Sequence, residues 1–287
     1  MKPIFEKLAL GSEEGFTFKR IRARHFNCPW HFHGEYELIL TLLCPGYRMV
    51  GDDITPLHPG DLVLVGANLP HIWQCDPRLD DSRRVDILLV QFDEDFLGEA
   101  CLRIPAFHPV RQLLQRAAVG LQFTGKTRSR VAELLQEMAR VSGLRRIILF
   151  LSALEALASS PDCHAIASPG FSTGVSPFNQ ERMNRVFKFI DEQIDQPVRL
   201  ADAARVASLS SGAFSRFFHQ HTGRTFPEFL NQLRIGRACR LLAESELSVT
   251  EIALACGFAN LSNFNRQFAR LKQTTPREYR RQLANAT

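Results

Sequence analysis

The sequence has no long apolar run, and that absence sets its first boundary. A membrane-spanning helix needs about 18 or more consecutive apolar residues, and a run such as Ile147 to Leu151 falls far short. The first residues, Met1-Lys-Pro-Ile-Phe-Glu-Lys, lack the apolar core of a signal peptide, so a cytoplasmic protein with no membrane partner is expected. The seven cysteines are an odd number and include no C-x-x-C pair. That pattern argues against a disulfide framework and leaves reduced, structural thiols as the expectation. Lysine is scarce where positive charge is densest. Residues 179–287 carry 16 Lys+Arg, nearly all arginine, against 10 Asp+Glu, a net of +6, whereas residues 1–178 have a net of −1. An arginine-rich domain suits phosphates and base edges, because guanidinium presents a planar fork of donors.

What is present is ordinary for a soluble protein: 287 residues, 45% hydrophobic and 23% charged, enough for two domains with separate cores. From Phe16 to Phe92 the chain reads as β. Short apolar runs (Tyr36 to Leu43, Asp61 to Val65, Arg84 to Phe92) are punctuated by Pro45-Gly46, Gly51-Asp-Asp53 and Pro59-Gly60. This is the mark of a sandwich or small barrel. Within it, His31-Phe-His33-Gly-Glu-Tyr-Glu37 precedes Gly60-x5-Gly66-x-Asn68-x-x-His71.

These two segments resemble the paired motifs of the cupin fold, a jelly-roll barrel. In metal-binding cupins the matching positions, here His31, His33, Glu37 and His71, meet at the barrel mouth. Three imidazoles and a carboxylate suit iron, manganese, nickel or zinc, so a divalent metal is one candidate cofactor. The motif departs from the metal-binding pattern at Gly66, Asn68 and Cys75, which favours a second reading. In that reading Trp30, His31, His33, Tyr36, Glu37, His71 and Trp73 line a pocket for a small organic effector, and the aromatic rings can stack on a sugar face.

From Pro105 helical periods take over, with Pro109 to Ala118, Ser129 to Val141 and Leu144 to Ala158 as helices. The third is apolar on most sides and needs cover from more than one neighbour, either the barrel or its twin in a second subunit. A homodimer is expected. A Ser/Pro/Gly-rich passage from Ser159 to Pro177 has no period and reads as a linker. The expected fold class is therefore α+β in two domains. Residues 1–160 form a cupin-like β-barrel with appended helices that binds effector and dimerises, 161–178 the linker, and 179–287 an all-α domain.

The most informative stretch runs from Ser248 to Tyr279. Val249, Ile252, Ala253 and Cys256 recur at i, i+3, i+4, i+7 along one helix face. Ser248 and Glu251 have capping-box spacing. Gly257 can end the helix in a left-handed conformation, and Asn260 can cap a second helix. There Phe264, Phe268 and Leu271 make the apolar stripe, while Ser262, Asn263, Arg266 and Arg270 are polar. That is the layout of a helix-turn-helix whose second helix enters a DNA major groove.

The pattern occurs twice. Leu200 to Ala207, Leu209 and Phe214 to Phe218 echo Val249 to Cys256, Phe258 and Phe264 to Phe268, with Arg216 matching Arg266 and Ser210 matching Asn260. The offset grows from 49 to 50 because the later turn is one residue longer. The exits, Thr225-Phe-Pro-Glu-Phe229 and Thr274-Thr-Pro-Arg-Glu-Tyr279, differ by one residue between proline and aromatic. A helix from Pro227 to Ala243, about 25 Å long, can hold the two readers for major-groove segments about 34 Å apart.

In Ile252-Ala-x-x-Cys-Gly-Phe258, Ser262-x-Phe264-x-Arg266-x-Phe268 and Thr275-Pro-x-Glu-Tyr-Arg280, the chain resembles the AraC/XylS family of bacterial transcription regulators. The resemblance implies a seven-helix DNA-binding domain with two helix-turn-helix motifs, joined to a cupin-like effector and dimerisation domain, and no catalytic role. Double-stranded promoter DNA is then a partner, with RNA polymerase a second one if the regulator activates. Carried over by position, the DNA-binding residues are Ser210, Ser211, Gly212, Ser215 and Arg216 in the first motif. In the second they are Leu261, Ser262, Asn263 and Arg266. Arginine can bridge guanine O6 and N7, and asparagine can pair with adenine. Gly212 has no side chain to offer, Leu261 offers only apolar contact, and for Ser215 or Ser262 a phosphate contact or simple helix capping stands equally beside base readout. Glu35 to Leu38, Val50 to Asp52, Pro59 to Leu64 and Asn68 to His71 look like sugar-pathway regulators and point to a carbohydrate effector. A metal-dependent cupin enzyme, or a metal sensor fused to a DNA-binding domain, is the alternative.

Overall fold

The apolar runs of the first half become strands buried on both faces, which is why they read as nearly continuous. The computed structural model describes residues 14–23, 30–75, 85–98, 104–168, 171 and 177–284. It divides into two compact units, residues 1–177 and 178–287. The strands of the first unit are β1 (Thr17–Ala23), β2 (Tyr36–Leu43), β3 (Gly46–Val50), β4 (Asp53–Pro56), β5 (Asp61–Val65), β6 (His71–Cys75), β7 (Val85–Phe92), β8 (Leu121–Phe123) and β9 (Cys163–Ala165). One antiparallel sheet has the order β1-β7-β2-β5-β8-β9 and the other β4-β3-β6. Arg84, expected to open the β7 run, lies outside the described residues.

Side-chain alternation splits the larger sheet into two apolar faces. Ile39, Val63, Val65, Ile87 and Leu89 point inward, onto Val50, Trp73 and Cys75 of the smaller sheet. Leu38, Leu40, Leu62, Leu64, Leu88 and Val90 point outward, under α1 (His108–Arg116), α2 (Gly125–Met138) and α3 (Leu144–Ala158). In α3, Leu149, Phe150, Ala153, Leu154 and Leu157 are buried, while Leu144 is 72% and Ile148 45% exposed. An open cleft of about 500 Å³, lined by Phe107, Val110, Ile148 and Leu151 among others, runs beside that exposed face.

Two expectations change. The passage expected as linker begins as sheet, since Cys163–Ala165 pairs with β8 and Ala167 is buried behind it. Three residues are too few to show a period, and backbone hydrogen bonding to the sheet edge fixes them instead. Residues 169–170 and 172–176 of the passage lie outside the described residues. The second change is a disulfide, Cys44–Cys75, where reduced thiols were expected. Pairing of β3 with β6 sets Gly46 opposite Cys75 and brings together two cysteines 31 positions apart, a proximity that no C-x-x-C spacing announces.

The second unit contains α4 (Pro177–Gln193), α5 (Leu200–Val206), α6 (Ser211–Thr222), α7 (Phe226–Glu244), α8 (Val249–Ala255), α9 (Leu261–Lys272) and α10 (Pro276–Ala284). α5–α6 and α8–α9 are the two helix-turn-helices, and α7 is 19 residues long, about 28 Å. Both turns close in the same way: Leu209 N donates to Ala204 O and Phe258 N to Ala253 O. Both place a residue with positive φ just past the first helix, Ser208 at 55° and Gly257 at 77°. Ala259 is the extra residue of the second turn.

Candidate functional site

The repeat extends to burial, caps and ring contacts. Ser211 to Gln220 and Leu261 to Arg270 have the same order of exposed and buried positions, with Phe214, Phe218, Phe264 and Phe268 wholly buried. Ser210 accepts a hydrogen bond from Ala213 N, as Asn260 does from Asn263 N at 2.8 Å. Phe218 meets Phe229 edge-on at 5.2 Å, and Phe268 meets Tyr279 in the same way at 5.6 Å. The exits also align once caps are compared. Thr225 accepts from Glu228 N and Thr275 from Glu278 N, so the aromatics correspond and only the proline has moved by one.

Each recognition helix thus buries one stripe of phenylalanine and turns the other face to solvent. Ser210, Ser211, Gly212, Ser215, Arg216, Leu261, Ser262 and Arg266 are exposed, and Asn263 is half-buried. Asn263 and Arg266 are already joined, Nη2 donating to Oδ1 at 3.0 Å, which holds both side chains on one patch. The Ser215 hydroxyl donates back to Ser211 O at 3.0 Å, a bond that competes with any outward role. The same faces also carry His219, Gln220 and Asn265, which the position-by-position carry-over omitted. Their signal was available, since 215, 219 and 261, 265 are spaced by four on one face.

In the first unit an isolated bridge between His31 and His71 closes one end of the barrel. It brings His31, His33, Glu37 and His71 together, all buried, with candidate ligand atoms within 4.8 Å of one another. The rings sit 4.2 to 5.3 Å apart by centroid. Glu37 faces inward because it lies opposite Val65 and Gln91 in register. Its Oε2 accepts from Gln91 Nε2 at 2.7 Å and lies 3.1 Å from His33 Nε2. Burial alone would raise the Glu37 carboxyl, but the His33 hydrogen bond and the neighbouring imidazoles outweigh it and hold the group at about 2. Burial, then the adjacent His31, pushes His71 well below the usual imidazole value, so it is neutral.

The aromatic residues separate. Trp73 is buried against His71, rings 5.9 Å apart, and Trp30 is buried beside the bridge. Tyr36 is not part of this group. Being one position from Glu37, it lies on the outer face of the sheet and stacks on Phe92 at 5.5 Å. Among the described residues, Trp73 Nε1, His71 Nε2, Thr41 Oγ1 and Gln91 Oε1 are buried without a hydrogen-bond partner. A buried polar atom left unpaired calls for a partner, and a bound polar ligand or ion is one that would supply it.

Comparison with known proteins agrees with this division. Residues 15–154 match the AraC-like ligand binding domain, and residues 203–282 match a helix-turn-helix domain. The HTH-type transcriptional activator RhaR of Mannheimia succiniciproducens is 33% identical over 283 residues, covering 94% of this chain and 93% of that one. The activator RhaS of Salmonella dublin is 35% identical over 264 residues, covering 88% and 87%. Among solved structures, the DNA-binding domain of AdpA in complex with a target DNA shares 30% identity over 33% of this chain and 86% of its own, with a TM-score of 0.32.

Proposed function

The chain belongs to the AraC family of DNA-binding transcription regulators, and from that premise we propose how it acts. α6 and α9 read promoter DNA in successive major-groove segments, and a carbohydrate effector bound inside the barrel sets how paired DNA-binding domains engage the promoter. The observation that supports this best is the doubled recognition helix, in which burial pattern, caps and an exposed arginine recur. Arg216, Asn263 and Arg266 are assigned to base edges and Leu261 to a thymine methyl. Ser210, Ser211 and Ser262 are assigned to phosphates, as is Ser215 once its hydroxyl gives up the bond to Ser211 O, with Gly212 against the DNA backbone.

Residues 1–160 are the effector and dimerisation domain, with 161–178 leading to residues 179–287, the DNA-binding domain. His31, His33, Glu37, His71 and Trp73, with Trp30 beside them, form the effector site. The exposed Leu144 and Ile148 of α3 pair with those of a second copy. The relatives' names mark them as activators, and contact with RNA polymerase is the corresponding role here. The work is done in the cytoplasm and needs no covalent chemistry.

Selection of bound sequences from random DNA, followed by footprinting, tests the reading. The expected result is a site with half-sites one helical turn apart. A thermal-shift screen of sugars, sugar acids and aromatic acids then identifies the effector class. Failure to enrich any sequence overturns the DNA assignment, and silence from sugars with a response to another class overturns the carbohydrate.

A further inference from the structure

We propose that Cys44 and Cys75 are a site of reversible oxidation. They form a dithiol–disulfide couple that exchanges with disulfides of the glutathione class and, when oxidised, ties the two sheets of the effector domain together. The bond joins the residue after β2 to the last residue of β6, with Cα atoms 5.9 Å apart. β2 belongs to the larger sheet and β6 to the smaller, and among the described residues no ladder pairs them. Between them the sheets meet through apolar side chains such as Ile39, Val63 and Trp73 and through the Arg48–Asp61 ion pair. A covalent link here adds a constraint that the backbone hydrogen bonds do not supply.

The fold, rather than the bond, brings the thiols together. Pairing of β3 with β6 sets Gly46 opposite Cys75, and Leu57 N donates to Gly46 O at 3.0 Å. A Cβ at position 46 would stand 1.9 Å from Gln74 O, so glycine lets the strands close at this point. Pro45, with its ring-fixed φ, holds Cys44 next to that contact. The ladders therefore already offset the entropy of closing a loop across 31 positions. The bond can open and close with the fold retained.

A regulator that binds DNA works beside a thiol pool in which lasting disulfides are rare. Those that form there are usually catalytic or redox-sensing. Cys75, 6% exposed against 3% for Cys44, ends its strand and meets the incoming disulfide first. Both sulfurs are buried, so exchange proceeds through local opening of the strand end. The Cys75 thiolate attacks one sulfur of the oxidant, forming a mixed disulfide and releasing one small thiolate. The Cys44 thiolate then attacks the Cys75 sulfur, which closes the Cys44–Cys75 bond and releases the second. Two cysteine thiols give up two electrons and two protons, and the oxidant leaves as two thiols. Excess thiol runs the sequence backwards.

The bond reaches the effector site through β6. Strand alternation puts Cys75 on the same face as Trp73 and His71. Locking the end of β6 to the end of β2 stiffens the wall that carries those two side chains. This consequence for effector binding rests on the effector-site assignment proposed above.

The test uses the full chain, purified under excess thiol and then freed of it, in a series of reduced and oxidised glutathione. Remaining thiols are alkylated and the digest is mapped by mass spectrometry. A Cys44–Cys75 link should form as the oxidised share rises and disappear when thiol is restored. The linked form should melt about 7–15 °C higher, because the cross-link constrains the unfolded chain. Its amide exchange over residues 71–75 should be slower by at least about tenfold. Cys44→Ser and Cys75→Ser should each leave the other cysteine as a mixed disulfide with glutathione and lack the melting shift, with near-UV circular dichroism reporting the fold. In growing cells, thiol trapping should find the pair reduced, and linked after a pulse of the thiol oxidant diamide.

A link that never forms, that resists excess thiol in the folded protein, that joins other cysteines, or that is already closed in unstressed cells overturns the proposal. Equal amide exchange in the two forms overturns it as well. Operator binding is measured on the reduced protein, so its failure beside an intact couple counts against the regulator reading alone.

Discussion

Arg216 and Arg266 occupy the same place in the two recognition helices, and removing them separates base reading from charge. Both are exposed, so Arg216→Ala and Arg266→Ala should leave stability within about 0.5 kcal/mol. A bidentate arginine–guanine pair is worth about 1–3 kcal/mol of discrimination, and each 1.4 kcal/mol is about tenfold. Each variant should therefore lose about 5- to 150-fold in operator affinity while binding to random DNA falls much less. The two sites share no contact, so the double variant should show additive losses within about 0.5 kcal/mol. Arg266 and Asn263 behave differently. Their side chains are hydrogen-bonded at 3.0 Å, so Arg266→Ala with Asn263→Ala should show a coupling energy of about 0.5–3 kcal/mol. Arg266→Lys keeps the charge without the fork and should lose most of the discrimination at an unchanged salt dependence. Fluorescence anisotropy against operator and scrambled duplexes, from about 50 to 200 mM salt, gives all of these quantities. Equal losses on operator and scrambled DNA, with the salt slope reduced by about 0.9 per arginine, would assign the arginines to phosphates and refute the base-reading argument.

Three further outcomes follow from particular residues. Gly257 has φ of 77°, and an added Cβ would stand 2.4 Å from Ile194 O. Gly257→Ser should therefore cost more than about 1 kcal/mol in urea unfolding, whereas Ser208→Gly at the equivalent position relieves a φ of 55° and should cost nothing or stabilise. Ile148→Asp places a charge on the exposed face of α3 and should convert a dimer to a monomer in sedimentation with the fold retained; an unchanged sedimentation coefficient would move the interface elsewhere. Burial, then the Cys239 thiol, pushes the Tyr279 phenol up to about 12. Below pH 10 both folded and unfolded forms keep this proton. Between pH 10 and 12 only the unfolded chain releases it, so stability falls as pH rises through that window. Tyr279→Phe should remove part of the fall, and an identical alkaline loss in the variant would contradict the assignment.

What was legible in the sequence follows from how each element is stabilised. β2, β5 and β7 could be placed because both faces of these strands are apolar and the runs are continuous. β6 does not look like a strand, since the buried polar residues His71 and Gln74 interrupt both of its faces. Tyr36 was grouped with Glu37 because neighbours in sequence were read as neighbours in space, although a strand sends them to opposite faces. The buried Arg48 and its ion pair with Asp61, Nε to Oδ2 at 2.8 Å, had no signal at all. A charge within a strand ordinarily marks a solvent face. Here Asp61 also accepts from Gln122 of β8, so only the packing of β3, in the smaller sheet, against the paired β5 and β8 of the larger one reveals the network. The helical unit was more legible because caps, turns and periodic phenylalanines are local features, and it states them twice.

That duplication also isolates a position where the copies disagree with no packing reason for the difference. Gly212 lies in the first turn of α6, where Ser262 stands in α9. A Cβ there would meet nothing nearer than the Arg216 guanidinium at 4.0 Å, and the φ is not one that requires glycine. The fold therefore accepts a side chain, and glycine in a helix costs up to about 1 kcal/mol relative to alanine. A position that gives up stability without gain to packing has another use, and glycine offers close approach of backbone to a ligand. In a recognition helix seated N-terminus first, that ligand is the DNA backbone or a base edge. Gly212→Ala should then raise the stability of the helical unit by up to about 1 kcal/mol and at the same time weaken operator binding. Ser262→Ala, which removes a hydroxyl without adding bulk, should weaken binding through a lost contact and leave stability nearly unchanged. If Gly212→Ala stabilises the protein and binds operator as well as wild type, α6 does not approach DNA through this turn, and the first hairpin's contribution rests on Arg216 alone.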